Sequence, residues 1–397
     1  MNIPSLTYSK LNMEKRQIQT LPLDYSLLAT VCVLICLGLV MVGSSSVSIS
    51  EQHYANPFHY LWRQLAYLMV GIIAAVITLK IPVRIWQELG PGLIMISMLL
   101  LVLVFVPGLG RTVNGSTRWL NMVGFNLQPS ELVKLFTLIY LAGYLVRHQE
   151  VVKSTAGGFF RPLLLISILV SLLLLEPDYG AAAVLLMSVM GLMWLAGVRF
   201  LQFFLLLGVA ASVLALLAYI SPYRMERLTA FINPWADPFD SGFQLTQALI
   251  AFGRGDWLGA GLGESVQKLF YLPEAHTDFV FAVMAEELGL LGVLVVIALY
   301  TFLIFRILFV ARQAELRDRP FAAYLAYGIG LWIGLQVLIN IGVNMGILPT
   351  KGLTLPFMSY GGSNLVVMMI AMAILFRIDY ETHRDDRPGQ KNRRHRI

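Results

Sequence analysis

Apolar stretches long enough to cross a lipid bilayer recur from one end of this 397-residue chain to the other. A hydrocarbon core about 30 Å thick takes roughly 20 helical residues, and in lipid every backbone amide must be satisfied within the segment. The chain is therefore confined to a bundle of membrane-spanning helices. Hydropathy predicts ten, at 25–46, 60–80, 89–107, 129–147, 161–176, 180–197, 200–220, 280–306, 321–345 and 361–378. The fifth and sixth are parted only by Glu176-Pro-Asp-Tyr179, where a proline between two carboxylates argues for a tight reversal. Only 13% of the residues are charged, against about 25% in soluble domains, which excludes a soluble class.

An even number of spans puts both termini on one side. Placing them in the cytoplasm leaves 20 of the 29 Lys and Arg on inner segments. Seven remain outside: Arg111, Arg118, Arg224, Arg227, Arg254, Lys268 and Lys351. The expected fold is all-α and polytopic, with about ten transmembrane helices, both termini cytoplasmic, and a large extracytoplasmic loop, 221–279, between helices 7 and 8. A cytoplasmic tail, 1–24, precedes a single membrane domain, 25–380, and a basic cytoplasmic tail, 381–397, follows it. The first span lacks a small-residue cleavage site and reads as a retained helix. Within it, Cys32 and Cys36 read as small apolar core residues and not as a disulfide or zinc pair. The basic tail reads as a topology signal touching anionic lipid, so no nucleic-acid partner is expected.

Loops beyond about 15 residues are usually functional or disordered, and Trp235, Phe243, Trp257 and Tyr271 argue against disorder in the long outer loop. It holds a glycine-rich stretch, Gly253 to Gly263, and a candidate amphipathic helix from Phe243 to Phe252. Gly259-x-Gly261-x-Gly263 lacks the strand-turn-helix context of a phosphate-binding loop. Arg254-Gly-Asp256 and Asn114-Gly-Ser116 are short enough to arise by chance.

Ionisable residues inside or at the edges of spans are costly and become functional candidates. Glu131 and Lys134 lie three apart on one helix face and can pair, either to fix helix packing or to meet a substrate. Glu176 and Asp178 flank a proline at an outer helix end. Glu286 and Glu287 point about 100° apart on a helix, so packing or capping is the expected role. The segment Leu272-Pro-Glu-Ala-His-Thr-Asp278 puts Glu274, His276 and Asp278 at alternate positions, on one face if the chain is extended. Asp278, nearest the following span, is the leading candidate for chemistry. One histidine with two carboxylates is an incomplete transition-metal set, whereas a hard cation such as Mg²⁺ suits carboxylate and phosphate oxygens, with Asp278 its candidate ligand. The outer basic residues, retained where topology depletes them, point to an anionic ligand.

Asn340-Ile-Gly-Val-Asn-Met-Gly-Ile-Leu-Pro-Thr-Lys-Gly-Leu-Thr-Leu-Pro-Phe-Met-Ser-Tyr-Gly-Gly-Ser363 closely resembles the signature of the SEDS family (shape, elongation, division and sporulation proteins). Gln128-Pro-Ser-Glu-Leu-Val-Lys134, Glu176-Pro-Asp-Tyr-Gly180 and Leu272 to Gly289 fall in the family's order. Leu348-Pro-Thr-Lys-Gly-Leu-Thr354 is similar to the division branch, not the elongation branch. Asn364 and Ala285 depart from the usual residues and touch neither Asp278 nor the branch signal.

The resemblance implies a peptidoglycan glycosyltransferase that polymerises lipid II at the outer face of the bacterial inner membrane, at the division septum. It implies a class B penicillin-binding protein (the division transpeptidase) and other divisome membrane proteins as partners, and a divalent cation such as Mg²⁺ as the one cofactor. The family's essential aspartate maps onto Asp278, and its charged pair on the fourth helix onto Glu131 and Lys134. The candidate substrate-binding set is Glu131, Lys134, Arg118, Arg224, Lys351, Ser359 and Gly361, with Glu274 and His276 in support. A diphosphate leaves as a stable anion, so one carboxylate suffices as general base where a glycosidase needs two. Two other functions fit the same sequence: a lipid II flippase, given ten spans with charges on the fourth, and a division scaffold that recruits the synthase.

Overall fold

The computed structural model describes residues 24–113, 116–122, 125–198, 231–240, 242–350 and 352–384, with six isolated positions between 204 and 219. Among the described residues eight helices are long and apolar enough to cross a membrane. They are α1 (Tyr25–Tyr54), α2 (His59–Lys80), α3 (Val83–Val104), α4 (Pro129–Arg147), α6 (Ala156–Leu175), α9 (Val280–Leu316), α10 (Pro320–Asn344) and α11 (Gly362–Arg384). The shorter helices are α5 (Gln149–Ser154), α7 (Tyr179–Leu195) and α8 (Phe243–Gly255). These account for nine of the ten predicted spans, and most of the seventh, 200–220, lies outside the described residues, as do both tails.

Local chemistry sets several boundaries. Asp24 caps α1, its Oδ1 accepting from the amides of Ser26 and Leu27 at 3.1 Å each. Asp178 caps α7 through the amide of Ala181 at 3.2 Å, which makes the predicted reversal at 176–179 a helix start. Proline opens α4 and α10, where its missing amide costs nothing. Asp24 also pairs with Arg306 of α9, while Arg319 and Arg377 both reach Glu381 of α11. The start of α1, the α9–α10 turn and the end of α11 are thus gathered at one end of the bundle.

The opposite end carries an element that an all-α reading omits. A small antiparallel sheet of β1 (Gly110–Val113), β2 (Ser116–Met122) and β3 (Phe125–Leu127) joins α3 to α4. Asn114-Gly115, set aside in the sequence as a chance motif, is the two-residue link between β1 and β2, and Asn-Gly is the strongest short hairpin signal. Residues 114 and 115 themselves lie outside the described residues.

The predicted eighth span, 280–306, is broken near its outer end. Gly289 has φ 66° and ψ −168°, so α9 is a short helix followed by a long one. The glycine-rich loop fills the gap: Asp256 and Trp257 carbonyls accept from the amides of Leu290 and Leu291 at 2.8 and 3.2 Å. In return the amides of Ala260 and Gly261 donate to the carbonyls of Glu286 and Glu287 at 2.9 and 3.1 Å. Backbone groups freed at membrane depth are re-satisfied by protein. A side chain at 289 would collide with the backbone of Trp257 and Gly259.

Candidate active site

The segment 272–279 folds as consecutive turns, not as an extended strand. The amides of Thr277 and Phe279 both donate to the Glu274 carbonyl at 3.2 Å, and Glu274 itself has φ 56°. The extended backbone on which the one-face expectation rested is therefore absent, although Glu274 acts electrostatically on both His276 and Asp278. Glu274 Oε2 accepts from the Thr277 hydroxyl at 2.8 Å. His276 packs its ring against Tyr60 and Tyr360, at centroid distances of 4.7 and 5.6 Å. Asp278 turns toward Gly352 of the signature segment, where a Cβ would stand 2.9 Å from its Oδ2.

Two asparagines fix Asp278. Asn340 and Asn344, one turn apart on α10, each donate Nδ2 to its carbonyl oxygen at 3.0 Å. Asn344 also accepts the amide of Ala282 at 3.1 Å, tying the first turn of α9 to the same point. Asn340 donates to the Leu353 carbonyl at 2.5 Å, which draws the signature segment in alongside.

The electrostatics are those of a crowded acid cluster with one guanidinium. Burial pushes the Asp278 carboxyl up to about 7, Glu274 and Asp178 push the same way, and Arg118 opposes them. Arg118, on β2, donates Nη2 to the Pro177 carbonyl at 2.6 Å and Nε to that of Glu176 at 3.4 Å. Gln128 holds Asp178 from the other side at 3.4 Å. Glu176 is 1% exposed, neither carboxyl oxygen has a hydrogen-bond partner among the described residues, and burial raises it to about 8, with Asp178 adding to the rise. Burial lowers the basicity of His276, with Glu274 opposing, and keeps the imidazole neutral near pH 7. A carboxyl raised toward neutrality is suited to general-base work.

Glu131 and Lys134 lie elsewhere, sealed in the bundle at 4% and 1% exposure. Lys134 donates to Glu131 at 2.9 Å and to Gln336 at 3.0 Å, and Asn364 donates to the other Glu131 oxygen at 2.8 Å. Gln336 passes the connection on to the Thr354 carbonyl at 2.9 Å. The pair therefore ties α4, α10 and α11 to the signature segment. Ser359 is also internal, its hydroxyl accepting the Leu355 amide at 2.8 Å. Gln64 of α2 spans the next turn, donating to the Ser359 carbonyl at 3.2 Å and accepting the Gly361 amide at 3.4 Å. Arg224, Arg227 and Lys351 lie outside the described residues.

Two outer cations counted as anion binders are committed to protein. Arg254 reaches Glu286 at 2.6 Å and Lys268 reaches Glu287 at 2.9 Å, so both adjacent glutamates are buried and paired. Sequence reasoning passed over Asn340, Asn344 and Gly352 as individual site residues. The signal for the asparagines was available: two amides four residues apart inside an apolar span. No group of three His, Cys, Asp or Glu side chains suited to a metal converges among the described residues. Among the described residues no built cage surrounds Asp278, the carboxylate expected to meet a hard cation.

A family model described as "Cell cycle protein", FTSW_RODA_SPOVE, matches residues 25–384. The chain is 54% identical over 359 residues to the "Probable peptidoglycan glycosyltransferase FtsW" of Nitrosococcus halophilus, covering 90% of this chain and 92% of that one. Its structure is similar to one described under "Structural coordination of polymerization and crosslinking by a peptidoglycan synthase complex", with TM-score 0.77 and 29% identity over 92% of this chain and all of that one. The rod shape determining protein RodA of Thermus thermophilus superposes with TM-score 0.66 at 29% identity, over 92% of this chain and 99% of that one. On these matches the chain is a multi-pass membrane protein that belongs to the SEDS family of FtsW, RodA and SpoVE cell cycle proteins.

Proposed function

We propose that this chain is a peptidoglycan glycosyltransferase that polymerises lipid II during septal wall synthesis. The observation that carries the reading is Asp278, a carboxyl raised to about 7, pinned through its backbone by Asn340 and Asn344 at the loop-bearing end of the bundle. The names of its relatives support the chemistry.

The 4-hydroxyl of an acceptor GlcNAc attacks the anomeric carbon of a donor MurNAc. Asp278 takes the hydroxyl proton as the new C–O bond forms, and the bond to the polyprenyl diphosphate breaks with its electron pair on the leaving oxygen. Attack opposite the leaving group inverts the anomeric carbon. Arg118, the guanidinium that acts on Asp278, stands to offset charge on the diphosphate. Glu131 and Lys134 act from within, by holding the signature segment in place. Where a hard cation binds, Asp278 is the residue that would hold it, and it would offset charge on the leaving diphosphate.

The inside-positive count supports an Asp278 at the outer face of the inner membrane. A class B penicillin-binding protein is the proposed crosslinking partner. The test is lipid II polymerisation by the purified pair, wild type against Asp278→Asn: glycan strands from the first and none from the second are expected. Strands of normal yield from Asp278→Asn would overturn the assignment.

A further inference from the structure

The turn between α1 and α2 carries rings that lead toward Asp278. Helix α1 ends at Ala55, in the left-handed region at φ 51°, and Asn56 accepts the amide of Phe58 at 3.0 Å, so the chain reverses tightly. That reversal lays Tyr54 flat on His59, with 3.7 Å between centroids and 10° between planes. Tyr60 stands edge-on to both, 5.8 Å from each. Inward, Tyr60 reaches His276 at 4.7 Å and Tyr360 at 5.0 Å. The amide of Tyr360 donates to the His276 carbonyl at 2.9 Å, and Asp278 follows two residues on.

Exposure falls along this run, from 47% at Tyr54 to 6% at His276. An aromatic residue serving only as an interfacial anchor points away from the protein, as the 65% exposure of Trp62 on the same hairpin illustrates. These rings instead face one another and the catalytic loop. Tyrosine and histidine combine a flat face with a polar edge, which matches a ligand with an apolar face and a hydroxyl rim. A pyranose ring is such a ligand.

We propose that Tyr54, His59, Tyr60 and Tyr360 form a saccharide-binding track that seats pyranose rings of the glycan strand on its way to or from Asp278, an inference that rests on the polymerase function above. The track is separate from the proton-transfer step. It governs how long a strand stays bound between additions, and so strand length.

The test uses the chain with its class B partner in nanodiscs and, as probe, a fluorescent peptide-free GlcNAc–MurNAc hexasaccharide. Saturable binding by wild type is expected, weakened about five- to tenfold in Tyr54→Ala and kept within about twofold in Tyr54→Trp, in line with the loss of one stacking face. With lipid II as substrate, Tyr54→Ala should give shorter strands than wild type, and Tyr54→Trp strands of near wild-type length. No saturable binding by wild type, equal binding by Tyr54→Ala, or equal loss in Tyr54→Trp would each overturn the track. Full-length strands from Tyr54→Ala would do the same. Polymerisation that survives Asp278→Asn alongside normal hexasaccharide binding would instead sink the polymerase assignment of Asp278 and leave the track standing.

Discussion

Asn344 reaches the carbonyl oxygen of Asp278 from 66 positions away, at 3.0 Å, while its own Oδ1 takes the amide of Ala282 at 3.1 Å. One buried amide thereby fixes both the candidate base and the start of the helix behind it. Asn344→Ala removes one of two hydrogen bonds at each of two groups, the Asp278 carbonyl, which Asn340 still reaches, and the Ala282 amide, which still donates to the Phe279 carbonyl, at a cost of about 0.5–1.5 kcal/mol per bond. A lowered melting temperature is expected, with a larger loss in kcat than in lipid II affinity. Unchanged melting and turnover would show that Asn340 alone holds the loop.

Asp278 itself yields a prediction with opposite signs for activity and stability. Its folded-state carboxyl titrates near 7 against an ordinary value of 3.8, so between those pH values the folded protein holds a proton that the unfolded chain has released. Stability contributed by this group is lost as pH rises through that window and levels off above it. The ionised base forms over the same range, so polymerisation should rise from pH 6 to pH 8 with a midpoint near 7. Asp278→Asn should abolish strand formation at every pH yet melt no lower than wild type at pH 8. A lower melting temperature for Asp278→Asn at pH 8 would contradict the burial argument.

Glu176 has no hydrogen-bond partner for either carboxyl oxygen among the described residues. Burial and Asp178 raise it to about 8 from 4.5, so it is neutral at pH 7 and stability is lost as pH climbs from about 4.5 to about 8. Glu176→Gln preserves the shape of the neutral acid. Near-wild-type melting at pH 4 is expected, with a gain that grows between pH 4.5 and pH 8 and then levels off, followed by calorimetry across the range. Identical slopes of melting temperature against pH in the two proteins would refute it.

The bundle was legible because hydropathy sums over 20 residues are insensitive to local error, and nine of the ten expected spans appear as helices. The break at Gly289 was not, because its cause is remote: the partners of the freed amides are the carbonyls of Asp256 and Trp257. The alternation of Glu274, His276 and Asp278 misled for a similar reason, since a period of two means a shared face only in extended backbone and this segment turns at Glu274. Charge counting took in Arg254 and Lys268 because their acidic partners, Glu286 and Glu287, come later in the chain on another element.

Gly352 gives a steric test of the same site. A Cβ there would lie 2.9 Å from Asp278 Oδ2, closer than such contacts occur, and the far end of a flexible side chain is what must yield. Gly352→Ala should therefore displace the carboxylate with little change in folding. Turnover reduced at least tenfold with melting within a few degrees is expected, because misplacing a catalytic group by about 1 Å can cost 100-fold. Turnover near that of wild type would mean that Asp278 reacts from another rotamer.

The Glu131–Lys134 pair separates a structural role from a substrate role. Lys134→Met leaves Glu131 charged and buried with only Asn364 to hold it, a change that costs about 3–5 kcal/mol in comparable pairs. Removing both charges, as Glu131→Gln with Lys134→Met, relieves that penalty and leaves a neutral amide beside Asn364. Melting should collapse in the single variant and recover most of the way in the double. If the pair only positions the signature segment, through Gln336 and the Thr354 carbonyl, polymerisation should recover with stability. Restored melting without restored polymerisation would assign the pair a direct contact with lipid II and overturn the positioning role.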